Sequence, residues 1–183
     1  MSTDNDAVIN AMRMWLENVV IGLNLCPFAK AVYVKNQIRF VVSDACNSDV
    51  LLEELERELQ FLAQADPAQT DTTLLIHPNV LTDFLDYNDF LDVCDSVVDE
   101  LELDGVLQVA SFHPQYQFAD TEIDDVGNFT NRSPFPTLHL LREESITHAV
   151  ETFPDVEGIY QKNVATLRKL GATGIKKLIG KLS

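Results

Sequence analysis

Apolar positions in this chain recur at two spacings, and the two alternate along its length. Val8, Met12, Trp15, Val19 and Leu23 lie three or four residues apart, which predicts a helix over residues 4–23 with Gly22 and Asn24 as stop signals. Pro27 disfavours helical geometry at Cys26, so Cys26 is expected in a turn. Apolar runs at residues 32–34 and 38–42 flank Lys35-Asn36-Gln37 and predict a short extended segment, a turn and a strand ending near Asp44. Asn47 or Ser48 can cap the next helix, whose buried stripe is Leu51, Leu55, Leu59 and Leu62. Residues 73–76 read as a second strand, ending at His77-Pro78. Phe84, Leu91, Cys94, Val98 and Leu101 mark a helix over residues 81–103, with Asn88 as an interruption and Gly105 closing it. Residues 106–112 form a third strand, ending at His113-Pro114, and residues 137–141 a fourth, entered through Pro136. Helices are predicted over 143–153, 155–170 and 172–182, broken at Pro154 and Gly171.

The resulting order, β-α-β-α-β-β between an N-terminal helix and C-terminal helices, predicts a single-domain α/β sandwich spanning residues 1–183 with a small four-stranded, mostly parallel sheet. The fourth strand follows a long connection, residues 115–133, and is expected antiparallel beside the third. If the first three strands are parallel, Asp44, His77 and His113 end on one edge. The turn that opens the fourth strand brings Asn131, Arg132 and Ser133 to the same edge. Ligands of open α/β sheets bind at that carboxyl edge, and a connection this long is often a lid or binding loop.

Charge sharpens this picture. The net charge is -16; residues 161–183 carry six Lys/Arg and no acid, leaving seven Lys/Arg against 29 Asp/Glu in residues 1–160. So acidic a body repels phosphate backbones, and no nucleic-acid partner is expected. The basic C-terminal helix, residues 172–183, is expected to pack through Ile175, Leu178 and Ile179 against the acidic body. Three cysteines without paired spacing suit a reducing cytoplasm. The sequence shows neither a membrane-length apolar run nor a signal-peptide pattern, so a soluble, membrane-free protein is expected.

LNLCPFA at 23–29, FHPQ at 112–115 and NRSPFPTLHLLR at 131–142 resemble the bacterial and plant family catalogued as domain of unknown function, number 1415. The resemblance covers almost the whole chain. It implies a small soluble protein of this length, and it adds no activity, cofactor or catalytic residue.

The candidate chemistry follows from the shared edge. His77 and His113 are of the type that serves as general acid and base near neutral pH; each also has a simpler reading, as a strand cap held by hydrogen bonds. Cys26 is a candidate nucleophile or a packed small side chain. Arg132, with Asn131 and Ser133, is a candidate anion clamp, or else an ion-pair partner for Asp120, Asp124 or Asp125. Arg142, at the far end of its strand, is assigned a structural role. No HxH, HExxH or CxxC spacing points to a metal, and no cofactor is identified. The expected function is therefore an enzyme acting on a small anionic metabolite by His113 acid/base chemistry. His77 or Asp44 would assist, and help from Cys26 or a metal is left open. The alternative is a non-catalytic module that binds a small ligand or a protein partner. The reaction and the oligomeric state are not legible.

Overall fold

The structure is a computed structural model and describes residues 2–152 and 156–179. Helix α1 (Ser2–Trp15) runs directly into a π-helix, Leu16–Ile21. Gly22 closes it, because a Cβ there would lie 2.5 Å from the Asn18 carbonyl oxygen. Residues 32–34, read as extended, are instead the end of a short helix, α2 (Ala29–Val34). Three apolar residues fit a strand or a helix turn equally well; packing of Ala29 and Tyr33 against the core selects the helix.

The sheet comprises β1 (Ile38–Val42), β2 (Thr72–Ile76), β3 (Leu107–Phe112) and β4 (Thr137–Arg142), in spatial order β1-β2-β4-β3. β1 and β2 pair in parallel, whereas β4 runs antiparallel to both β2 and β3. It therefore lies beside the third strand as expected, and it also separates the third from the second. The sheet is mixed, with three strands pointing one way.

Two long helices cover one face. α3 (Ser48–Gln64) starts at Asn47, whose side chain accepts the Val50 N–H, and α4 (Phe84–Glu100) starts at Asp83, which accepts from Leu85 and Asp86. The Leu51, Leu55, Leu59 and Leu62 stripe of α3 meets Leu75, Leu138 and Leu140 of the sheet and Tyr87 and Cys94 of α4. Asn88 does not interrupt α4; it is exposed on the outer side of the helix. The opposite face carries Phe40, Leu74, Ile76 and Phe112 against Met12, Trp15, Val19, Leu167 and Ile175. The result is a three-layer α/β/α arrangement.

After β4, α5 is Glu143–Thr152, and α6 is Val156–Ile179. The two predicted C-terminal helices form this one element, interrupted at Gly171 (φ 69°, ψ 166°). The predicted break at Pro154 and the final turn with Lys181 lie outside the described residues. Ile175 is 3% exposed, so the basic segment packs through its apolar side.

Arg142 has the structural role read for it. It is 8% exposed, and its Nη2 reaches the carbonyls of Leu62, Ala65 and Thr70 at 2.6, 2.8 and 3.1 Å. These are orphan acceptors at the end of α3 and in the loop that follows it. Arg142→Met should cost about 3 kcal/mol by stranding buried carbonyls, roughly 6–12 °C in Tm, as measured by thermal denaturation. A change under about 1 kcal/mol would show that water replaces the guanidinium.

Candidate functional site

The strand register aligns the carboxyl edge: Val42 pairs with Ile76, Ile76 with Thr137, and Thr137 with Phe112. The next backbone N–H after β2 continues its ladder with β4, whereas the one after β3 turns to the loop that precedes β4. His77 donates to the Pro136 carbonyl at 3.0 Å, and His113 donates to that of Asn131 at 3.2 Å. Residues alternate across a strand, so both imidazoles fall on the α3/α4 face. There they flank Tyr87 of α4, with ring centroids 5.7 Å away for His77 and 5.0 Å for His113. The Tyr87 hydroxyl donates to the Thr137 carbonyl at 2.8 Å. Burial raises the phenol well above its ordinary pKa, so it stays a donor.

The partners define the tautomers. His77 Nδ1 is 2.9 Å from the Val80 carbonyl, which can only accept, so Nδ1 carries the proton. His77 Nε2 is then a bare acceptor, buried without a partner among the described residues. His113 Nε2 donates to the Leu81 carbonyl at 3.1 Å, and its Nδ1 accepts the Gln115 N–H at 3.0 Å. Two histidines from two strands thus hold consecutive carbonyls of the loop between β2 and α4. Within that loop Leu81 sits at φ 54°, an unfavourable region for a bulky side chain.

Both rings are 0% exposed. Burial pushes the His77 pKa down to about 4, aided by the neighbouring His113. Burial also lowers His113, against the opposing hydrogen bond to Leu81 and the charge of Asp83. His139 lies on the other face, stacked on Phe112 at 5.5 Å, and burial lowers it to about 4 as well. Its Nε2 donates to Thr72 Oγ1 at 2.8 Å, because the single hydroxyl proton of Thr72 goes to the Leu140 carbonyl.

The remaining candidates are dispersed. Asp44 is exposed at the end of β1. Asn131 donates to the Ser111 carbonyl at 3.2 Å, and Ser133, 5% exposed, donates to that of Phe135 at 2.6 Å. Arg132 holds neither Asp120, Asp124 nor Asp125. Its Nε donates to the Tyr116 carbonyl at 3.0 Å, its Nη2 to that of Ile123 at 2.7 Å, and the guanidinium lies over the Phe129 ring. Asp125 instead caps the 3-10 turn Val126–Thr130 and pairs with Arg168 at 3.8 Å. Cys26 packs at the margin of the Trp15 cluster, on the other side of the sheet from the histidine pair. Cys94 is buried, with its thiol pushed up to about 12 by burial. Among the described residues no group of three or more His, Cys, Asp or Glu side chains is placed to hold a metal, and no helix is long and apolar enough to cross a membrane.

The long connection is a built structure. Asn128, 0% exposed, accepts the Phe118 N–H and the Thr121 hydroxyl and donates to the Glu122 carbonyl. Between this loop and the start of α4 lies an open groove of about 290 Å³, lined by Phe84, Leu85, Asn88, Gln117, Phe118 and Asp120. Phe84 joins it to the histidines, with its ring 5.5 Å from His113 and 5.3 Å from Tyr116. Phe118 packs edge-on against Tyr116 and Tyr160. Sequence reading missed Tyr87 and the groove. The available signal was Tyr87 itself, one turn beyond Phe84 on the same helix side; nothing local marks Gln117 and Phe118 as its neighbours.

The three imidazoles make stability depend on pH. Each is neutral in the fold and titrates near 6.5 when unfolded, so unfolding takes up protons below that pH. The contribution of His77 and His139 is complete above about pH 6.5 and is lost as pH falls toward 4, and His113, also lowered by burial, acts in the same direction; a displacement such as that of His77 is worth roughly 3 kcal/mol. Tm should fall between pH 6.5 and 4.5, less steeply in His77→Phe, and NMR should show the His77 ring neutral at pH 5. A protonated ring at that pH would contradict the assignment.

Residues 7–177 match the family described as "Protein of unknown function (DUF1415)", and the chain belongs to that family. No curated protein and no solved structure matches it.

Proposed function

Membership of that family assigns no chemistry, and we propose from the site alone that the chain is a small-molecule-binding protein. Its ligand would lie in the groove between α4 and the 115–120 loop. The observation that carries this reading is the aromatic continuity from groove to sheet edge: Phe84 contacts the groove on one side and His113, Tyr87 and Tyr116 on the other. Concave, mostly apolar sites with a few polar groups are the usual form of a ligand pocket. The polar groups here are the Asn88 and Gln117 amides and the Asp120 carboxylate. Gln117 commits its amide N–H to the Thr121 carbonyl at 2.6 Å, which leaves its oxygen as an acceptor. With Asp120 in the wall and Asp83 and Asp86 at the mouth of α4, a planar ligand that is neutral or cationic is favoured. A small anion would need Arg132, on the opposite face. Three free thiols support a reducing compartment such as the cytoplasm.

Acid/base catalysis is a second reading, favoured by one observation: the bare, buried Nε2 of His77. Substrate would reach it only if the segment between β2 and α4 opened. Diethyl pyrocarbonate distinguishes the two readings. Protection of His77 at pH 7, with rapid modification of exposed His148, supports binding alone; comparable rates support an opening active site.

The groove itself is tested by NMR titration with a panel of heteroaromatic amines and matched aromatic carboxylates. Saturable amide shifts should cluster on Leu85, Asn88, Gln117 and Phe118, the amines should be preferred, and Phe84→Ala should weaken binding about tenfold or more. No saturable shifts at these residues, or a preference for the carboxylates, would overturn this reading.

A further inference from the structure

The sheet has two edge strands, β1 and β3, and only one of them is covered. The long connection closes the outer edge of β3 near its end: the Asn131 side-chain amide donates to the Ser111 carbonyl at 3.2 Å, and the Asn131 carbonyl accepts the His113 N–H. β1 has no such cover. Ser43 donates its N–H to the Ile76 carbonyl at 2.7 Å, so the backbone groups of Arg39 and Val41, alternate with it, turn toward β2. The N–H and C=O of Ile38, Phe40 and Val42 therefore point away from the sheet, and they find no main-chain partner there among the described residues. All five residues of β1 are half-buried, whereas all five of β2 are buried, so this edge meets solvent. It carries neither a proline nor a bulge, two common protections of a free edge.

The surroundings of this edge are cationic. Residues 11–42 contain Arg13, Lys30, Lys35 and Arg39, but only one of the 29 Asp/Glu of the chain, Glu17. On one face of the sheet the Arg13 guanidinium stands over the Phe40 ring, 4.5 Å from its centroid, and forms no ion pair among the described residues. On the other face Arg39 stands over Phe61 at 4.4 Å, and Glu58 answers its charge through a fork of 2.8 and 3.1 Å. Phe61 is 43% exposed, and Lys35 is exposed just before the strand begins. One side of the edge thus offers an unanswered charge and the other an apolar ring.

We propose that β1 is a docking edge for an extended acidic segment of a partner protein, which adds a fifth strand to the sheet. Main-chain hydrogen bonds to Ile38, Phe40 and Val42 attach the segment, and its alternate side chains give selectivity. In an antiparallel strand, the residue opposite Phe40 sends its side chain to the Arg13 side, and the residues next to it send theirs to the Phe61 side. Carboxylates at alternate positions therefore meet Arg13, with Lys35 adding to the field at the start of β1, and β-branched residues between them cover Phe61. Charge favours such a partner over a second copy of this chain, because pairing β1 with β1 would bring Arg13 against its own counterpart. The edge is independent of the groove, which lies toward the opposite side of the sheet, where α4 packs on β3.

The probe is a capped heptapeptide of alternating Glu and Val, titrated into the full chain at pH 7 and followed by NMR. The Ile38, Phe40 and Val42 amides should shift saturably and gain protection from hydrogen exchange. Those of Arg39 and Val41, already bonded to β2, should gain none. A heptapeptide of alternating Lys and Val should bind about tenfold more weakly or worse, and so should the Glu/Val peptide with Arg13→Glu, an exposed position. N-methylating the glutamates removes the donors that face β1 while leaving the protein unaltered, and should cost about tenfold or more in affinity. Unmoved edge amides, equal binding of the lysine peptide, or affinity unchanged by N-methylation or by a folded Arg13→Glu would overturn the inference. So would sedimentation showing that the chain alone dimerises with these three amides protected, which would assign the edge to a second copy.

Discussion

β4, running antiparallel between β2 and β3, is the constraint on which the rest of this molecule depends. The inner edges of β2 and β3 would otherwise bury unpaired N–H and C=O groups, which a folded protein does not tolerate. Inserting β4 satisfies both edges and fixes the register of three strands at Ile76, Thr137 and Phe112. The β2/β4 ladder then extends one step further through the His77 backbone N–H, while the His113 N–H ties the end of β3 to the Asn131 carbonyl in the loop before β4. Main-chain pairing therefore sets where the histidines sit. Tyr87 closes the arrangement by donating to the first carbonyl of β4, so that α4, the inserted strand and both imidazoles pack as one unit.

The electrostatics of that unit run against the charge of the whole. In a protein of net charge -16, the surrounding acids favour protonated histidines. The acids of α4 lie instead on its solvent side, where water and salt screen them over about 8–10 Å. Desolvation acts on the ring directly and wins, bringing His77 down to about 4. The opposing hydrogen bond to Val80 and the smaller effect of His113 do not change that outcome. Neutral imidazoles have one donor and one acceptor each, and here both donors serve backbone carbonyls of a single loop.

Arginine is used with the same economy. Between Arg57 and Lys162 the chain has only Arg132 and Arg142, among many acids. Among the described residues neither pairs with a carboxylate; Arg142 reaches main-chain carbonyls at the end of α3 and in the loop after it, and Arg132 reaches two within the long connection. A guanidinium has several fixed donors, so one side chain can satisfy acceptors from separate parts of the chain. An exposed ion pair would add little by comparison.

Much of the architecture was legible because local rules dictate it. The leucine stripe of α3, the Asn47 cap, the strand ends at His77 and His113 and the break at Gly171 all follow from periodicity, capping chemistry and backbone preference. The shared edge of the two histidines followed from topology alone. The details of the site did not follow, since they depend on long-range register and on which face a side chain takes. Spacing could not tell that Arg132 would spend its donors on carbonyls 16 and 9 residues away, or that Phe118 would come to line a groove with Phe84. Nor could the residues around Trp15 reveal that its indole N–H would be buried without an acceptor among the described residues. The sequence by itself determined the elements and their order, because those rest on neighbours within a turn or a strand pair. Tertiary packing alone decided which polar atoms found partners and which were buried without one, because that depends on desolvation by residues distant in the chain.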